Sequence, residues 1–328
     1  MDATAANLLL DHHRDHARDL PWRMTPRDPY RTWLSEVMLQ QTTVATVTPR
    51  FLRFVERWPT VEALAAAPDE EVLGEWAGLG YYARARNLIA CACAVAARGG
   101  FPRTEGALRK LPGLGAYTAA AVAAIAFGED AVAIDTNVER VAARVFGIGD
   151  RKAAGEAARG SFPAGRHGEF AEALMDLGAS ICRPKAPNCP ACPIAAQCKA
   201  RALGSPEAFP APKVKRVRPH RYGIAWWARR GDEVWLVRRP GSGLLGGMAA
   251  LPGPEWGEER PAANAIAIHR HGFTHFTLDL MVVPCAEPPP GEGWWQPVGE
   301  LASAGLPTLY RRAVEAALEA EREPRLAA

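Results

Sequence analysis

No stretch of this 328-residue chain stays apolar for the roughly 20 residues a bilayer-spanning helix needs, so a membrane protein is not expected. The start, MDATAANLLLDHHRDHARD, carries His, Arg and Asp where a secretory signal needs an uninterrupted apolar run, which points to the cytoplasm. Charge of one sign is scarce as well. Thirty-nine Lys and Arg against 36 Asp and Glu leave a net charge of +3, so basicity alone does not announce a nucleic-acid partner. No fixed-period repeat is visible, which excludes a solenoid or a propeller. Seven cysteines are too few for a disulfide scaffold of this length, and in a reducing compartment they read as metal ligands or buried thiols. Hydrophobic residues at 48% and charged residues at 23% exclude a largely disordered chain; the length calls for two domains, each with its own core.

What the chain does have is concentrated in LPGLGAYTAAAVAAIAFGEDAVAIDTNVERV, residues 111–141. Leu111 opens a turn in which Gly113 and Gly115 supply positive φ or a close backbone approach, and the turn runs straight into helix-forming Ala. Backbone N–H groups at such a helix start hold a phosphate without side-chain charge; the plainer reading is an ordinary helical hairpin. Asp135 stands just before Thr136-x-x-Glu139, which has capping-box spacing, so its local role is to favour a helix N-terminus.

Upstream, residues 8–23 are expected to form a first helix that ends at Leu20-Pro21-Trp22-Arg23, because Pro21 disfavours helical geometry before it. A second helix is expected from Pro29, with Trp33, Leu34, Val37, Met38 and Gln41 spaced as a buried face. Glu36 sits among them. Desolvation there raises a carboxyl pKa and keeps a proton available near neutral pH, as a general acid requires, whereas a lone Glu is ordinarily solvated. An exposed aromatic at Tyr82, beside Gly78 and Gly80 and followed by Arg84 and Arg86, suits unstacking of bases, with one of Tyr81 and Tyr82 left to the core.

Cys182, Cys189, Cys192 and Cys198 are spaced C-x6-C-x2-C-x5-C, close enough to share one metal centre, for which zinc is the generic reading. Cys91, Cys93 and Cys285 fall outside that spacing and are expected to be buried thiols. Residues 1–203 read as all-α, and 204–220 as a Pro-rich basic linker in which Lys213, Lys215, Arg216, Arg218 and, just after it, Arg221 could follow a DNA backbone. Residues 221–328 read as a smaller α+β domain, with a hairpin at Gly231-Asp232, a strand in TLDLMVVPC and a closing helix in TLYRRAVEAALEA.

LPGLGAYTA with AIDTNVERV resembles the helix-hairpin-helix and catalytic-aspartate segment of the endonuclease III superfamily of base-excision glycosylases. LSEVMLQQTTVATV, RDLPWR and WAGLGYYARARNL resemble, within it, the MutY-type adenine DNA glycosylases. That resemblance implies a helix-hairpin-helix glycosylase domain over 1–203 with a 4Fe–4S cluster on the four spaced cysteines at 182–198, and a Nudix-like domain over 221–328. It implies Glu36 as catalytic acid, Asp135 as stabiliser of the oxocarbenium-like sugar, and Tyr117 and Asn137 as their positioning partners. Tyr117 stands where the lyase members carry a Schiff-base lysine, and a phenol cannot form an imine, so strand cleavage is not expected. Arg18, Leu20, Trp22, Arg23, Val44 and Glu172 would surround the extruded adenine. Gln41 and Tyr82 would enter the duplex, Thr42 would contact the DNA, and Leu111, Gly113 and Gly115 would hold its backbone. Phe273, Thr274 and His275 would read 8-oxoguanine, with Thr274 where the family usually has Ser. No glutamate-rich Nudix box is present, which favours a reader over a pyrophosphatase. The expected substrate is double-stranded DNA carrying A opposite 8-oxoguanine or G, met by a monomer at the bacterial nucleoid. A non-catalytic, redox-sensing mismatch binder and a lyase for oxidised pyrimidines are the alternatives.

Overall fold

The structure, a computed structural model, describes residues 1–212, 217–241, 243–301 and 303–322. The chain forms two compact units, one of residues 1–67 and 86–214, the other of residues 68–85 and 215–328. Residues 68–85 were expected with the first domain. They group with the C-terminal unit, where the Tyr81 and Thr274 hydroxyls meet at 3.0 Å.

The first unit is helical. Its opening helix is Ala3–His16, capped by the Asp2 side chain on Ala5 N–H, so it begins and ends earlier than the expected 8–23; the segment before Pro21 is extended or turned. Pro29–Leu39 follows with Pro at its first position and Asp28 as cap, the arrangement in which a missing N–H costs nothing. Trp33, Leu34 and Met38 on it are fully buried. It stops because Gln41 takes φ +57°. Ala116–Phe127, almost entirely small and apolar, packs against Pro29–Leu39 and His167–Ser180 and ends at Gly128, φ +70°. Thr136–Phe146 packs on His167–Ser180 as well. Ala116–Phe127 thus lies between the helix that carries Glu36 and His167–Ser180.

Residues 204–211 correct the linker expectation. Pro206–Ala208 forms a single 3-10 turn, Ala211 N–H donates to Gly149 O at 2.8 Å, and Arg144 Nε donates to the carbonyls of Pro206 and Phe209. Lys213, Lys215 and Arg216 lie outside the described residues.

In the second unit, strands His220–Trp227 and Thr277–Pro284 pair parallel, and Ala267–Gly272 pairs antiparallel with the latter. A second sheet joins Arg229–Arg230, Glu233–Arg238, Ala249–Ala250 and Trp294–Pro297. The hairpin at Gly231-Asp232, the strand in TLDLMVVPC and the closing helix Thr308–Arg322 are where the sequence placed them. Alternating strand residues Ala225, Trp227, Val234, Leu236, Leu278, Leu280 and Val282 form one core with Leu309, Tyr310, Ala313, Val314 and Ala317 of that helix. Among the described residues no helix is long and apolar enough to cross a membrane.

Candidate active site

Glu36 is 8% exposed on the helix Pro29–Leu39, and burial pushes its carboxyl up to about 7 against an ordinary 4.5. The hydroxyl of Tyr117, one residue into the helix after the glycine turn, donates to Glu36 Oε2 at 2.8 Å and partly opposes that rise. Nearby carboxylates at Asp135 and Glu172 add to it. The burial expected from the apolar neighbours of Glu36 is therefore present, and the group is poised to hold a proton at neutral pH.

Asp135 is the N-cap of Thr136–Phe146. Its Oδ1 accepts from Asn137 N–H at 2.9 Å and Val138 N–H at 2.7 Å, and its Oδ2 from Asn137 Nδ2 at 2.6 Å. The capping residue is Asp135, not Thr136, so one carboxylate serves the helix start and faces the site. Burial raises its pKa, while these three donors and the charge of Arg140 pull it down, a counterweight that Glu36 has only from Tyr117 and Arg23. Arg140 continues the chain of contacts: its Nη2 donates to Asn137 Oδ1 at 2.8 Å and its Nε to Cys182 O at 2.9 Å.

Beside Glu36 lies a cavity of about 420 Å³, open mouth included, lined by Arg18, Leu20, Trp22, Arg23, Val44 and Glu172, all six expected there. Arg27, Ser35, Leu39, Ile125 and Met175 also line it and were not anticipated. Leu20 and Trp22 are buried apolar walls. The polar side is an ion network. Arg23 Nε pairs with Glu172 at 3.1 Å, Arg27 Nη2 with Glu172 at 2.5 Å, and Arg23 and Arg18 both donate to Asp176, at 2.6 and 2.7 Å for the closest atoms. Asp176 stands one helical turn after Glu172 on His167–Ser180; burial favours its neutral form, but His13, Arg23 and Arg18 outweigh this and hold it below the usual carboxylate range. Its i, i+4 spacing from Glu172 was the available sequence signal.

Gln41 and Tyr81 share a feature: both are non-glycine residues in left-handed backbone, φ +57° and +48°, and both are exposed. Tyr82, expected to be the exposed aromatic, is 9% exposed against 50% for Tyr81, which corrects the assignment within the pair. Thr42 Oγ1, next to Gln41 in the chain, donates to Gln40 O at 3.3 Å. In the glycine turn, Gly113 has φ +73° and an added Cβ would lie 2.5 Å from Asn87 Cβ, so both the angle and the close approach demand glycine. Gly115 needs neither: its φ is −76°, and it caps Ala116–Phe127 with no side chain over the N–H groups. Leu111 is buried, so its side chain is packing and not contact surface.

In the second unit, Phe273 packs edge-on or tilted against His271, Phe276 and Trp256 with ring centroids at 4.7, 4.7 and 5.6 Å, and its N–H closes a turn onto Phe276 O, leaving Thr274 and His275 exposed at the tip. Arg218 donates to Phe273 O at 3.4 Å and Arg221 lies over the Phe276 ring at 4.7 Å.

Cys182, Cys189, Cys192 and Cys198 line a single cavity with Arg144, Ile181, Pro187 and Arg201. Arg144, 2% exposed, donates to Cys182 Sγ at 3.2 Å and to the carbonyls of Cys182, Arg183 and Pro184. Of the other thiols, Cys91 is buried as expected, Cys285 is half-buried and Cys93 is exposed.

A buried acid against a Tyr, a capping Asp and a polar pocket are found with a glycine turn and four gathered cysteines. Residues 34–161 match the HhH-GPD superfamily of base excision DNA repair proteins and residues 224–316 the NUDIX domain. The human adenine DNA glycosylase is 33% identical over 87% of this chain and 69% of its own length. This chain belongs to the adenine DNA glycosylase family. A thermostable thymine-DNA glycosylase aligns at TM-score 0.56 and 33% identity over 61% of this chain and 96% of its own. An endonuclease III solved in a non-covalent DNA complex aligns at 0.53 and 26% over 61% and 95%. As a member of this adenine glycosylase family the chain is a base-removing, DNA-binding enzyme, with the helical glycosylase fold followed by a Nudix-like domain.

Proposed function

We propose that the enzyme extrudes adenine paired with 8-oxoguanine, or with G, and hydrolyses its N-glycosidic bond without cutting the strand. The observation that carries this reading is Glu36, a carboxyl raised to about 7 inside a pocket beside a second, donor-rich carboxylate. Protonated Glu36 gives its proton to N7 of the extruded base. The C1′–N9 bond then breaks with its electron pair leaving on adenine, and the sugar becomes oxocarbenium-like. Asp135, fixed by three N–H donors, stabilises that cation until water adds to C1′ and loses its proton. Tyr117 orients Glu36, and Asn137 orients Asp135. Neither is an amine, so no imine forms.

Gln41 and Tyr81 enter the stack, their left-handed backbones holding each side chain out from the chain's ordinary direction. The open helix start after Gly115 holds a phosphate. Thr274 and His275 meet 8-oxoguanine from a turn anchored by Phe273, with Arg218 and Arg221 supplying charge beside it.

The four cysteines fit an iron–sulfur cluster. They line one cavity, and four thiolates are the donor set such a cluster takes. A 4Fe–4S cluster held by Cys182, Cys189, Cys192 and Cys198 would supply loop structure and redox character, with no ligand position left for hydrolysis.

Single-turnover release of adenine from duplexes with A opposite 8-oxoguanine, A opposite G and thymine glycol tests the reading. Alkali-dependent breaks at adenine, faster opposite 8-oxoguanine, are expected. Breaks without alkali or at thymine glycol point to the lyase branch; tight binding with no product points to a non-catalytic reader.

A further inference from the structure

Gln41 is carried by a turn that its residue type does not favour. Thr42 N–H donates to Leu39 O at 3.2 Å, with Gln40 at φ −57°, ψ 113° and Gln41 at φ +57°, which makes a type II turn. The third position of that turn ordinarily goes to Gly or Asn, because positive φ crowds a larger side chain. A Gln there persists only where its surroundings hold it, and relaxation to helical or extended backbone would re-aim it. Two contacts do the holding. Thr42 Oγ1 donates to Gln40 O at 3.3 Å from within the turn, and Gln40 Nε2 donates to Thr118 Oγ1 at 3.1 Å. Thr118 is 2% exposed and belongs to Ala116–Phe127, which packs against Pro29–Leu39, so this second contact ties the turn to the core.

We infer that Thr118 is a positioning residue for base extrusion: by gripping the Gln40 amide it fixes the turn that aims Gln41 into the base stack. This rests on the reading of Gln41 as a wedge given above and adds to it what sets the wedge's direction. The preceding residue on the same helix, Tyr117, holds Glu36, which stands one helical turn before Gln40. Consecutive side chains of Ala116–Phe127 therefore serve the two steps apart, Thr118 the opening of the stack and Tyr117 the proton transfer. The division has a consequence: loss of the Thr118 hydroxyl should be felt where the adenine has to be pulled from a stack, and not where it is already loose.

The test compares single-turnover adenine release, with saturating enzyme, from a fully paired duplex carrying A opposite 8-oxoguanine and from the same duplex with the flanking pairs mismatched, in which the adenine is already loosened. Thr118→Val keeps the shape and removes the hydroxyl; it should slow the paired substrate by about 5-fold, as loss of one neutral hydrogen bond does, and the mismatched one far less. Thr118→Ser, which keeps the hydroxyl, should restore the ratio of the two rates. Gln40→Met should lower that ratio as Thr118→Val does, and the two substitutions together should lower it no further, because they break one bond. The pH limb set by Glu36 should stay in place in Thr118→Val, and thermal transitions establish that the variants are folded. Where Thr118→Val does not fold, Gln40→Met at its half-buried position tests the same bond. If Thr118→Val slows both substrates equally, or Thr118→Ser fails to restore the ratio, the assignment to Thr118 is overturned while the wedge reading stands. If Gln41→Ala leaves the ratio at its wild-type value, the wedge reading itself has failed.

Discussion

Tyr117 Oη donates to Glu36 Oε2 at 2.8 Å, so the acid of the site is set by two opposed influences: burial that raises its pKa and one phenol that lowers it. Release of adenine should therefore be fastest while Glu36 is protonated and should fall as pH rises through about 7. Tyr117→Phe removes the lowering influence, so the limb should move to higher pH even though the maximal rate drops with the loss of orientation. Single-turnover profiles of wild type and variant decide it; a limb that stays put or moves down means Glu36 is not the titrating acid.

The same burial has a cost in stability. A Glu whose folded pKa is raised folds without penalty below its unfolded value and loses stability as pH climbs from 4.5 to about 7. At about 1.4 kcal/mol for each pH unit between those values, the loss approaches about 3 kcal/mol. Glu36→Gln should thus abolish single-turnover excision and yet unfold at a higher temperature than wild type at pH 8, with the two melting curves converging near pH 4. Coincident curves at pH 8 would mean the site is more hydrated than its 8% exposure indicates.

Glu36, Asp135 and the cysteine loop were legible because each is tied to local spacing: an apolar helical period, a cap position, four thiols within 17 residues. Spacing alone placed Asp176 one turn from Glu172, but the ion pairs of Asp176 and of Arg27 were not legible, since they form only when residues about 150 positions apart in the chain meet, as in Arg23 with Asp176. The choice between Tyr81 and Tyr82 lay in a left-handed φ at Tyr81, which no residue type announces. Likewise the linker was read from its prolines and charges, whereas its first half is held by the carbonyl acceptors it offers to Arg144.

Tyr81 and Tyr82 should separate cleanly under substitution. Tyr82 is buried, so Tyr82→Ala should cost about 3–5 kcal/mol of stability, measured by denaturant unfolding. Tyr81→Ala should leave stability within about 1 kcal/mol and weaken duplex binding. Tyr81→Phe keeps the ring and removes the hydroxyl that meets Thr274 at 3.0 Å; its effect should fall on the preference for 8-oxoguanine over G. Equal stability loss in both alanine variants would return the wedge to Tyr82.

Asp176 accepts from Arg18, Arg23 and the Arg18 backbone N–H, and His13 Nδ1 lies 3.4 Å away. Asp176→Asn leaves buried guanidinium groups without their anion, a change worth about 3–5 kcal/mol. Because its folded pKa is lowered, the stability it contributes is present above the unfolded value of 3.8 and is lost as pH falls below it. The gap between wild type and variant should therefore be widest at neutral pH and should narrow with acid. Released Arg18 and Arg23 should also raise KM for the mispaired duplex more than they lower kcat, as expected when pocket geometry and not the acid is disturbed.

Arg144 gathers carbonyls from both sides of the cysteine loop and from residues 206–209. All three of its guanidinium nitrogens donate from a residue 2% exposed, and lysine cannot copy that fork from one ammonium. Arg144→Lys should lower the thermal transition and release iron faster on dilution into a chelator, while Cys192→Ser should lower iron content outright. Both are read by iron analysis, independent of excision. Stoichiometric zinc in the wild-type protein, with no iron, would return the four thiols to the generic metal site that spacing alone allowed.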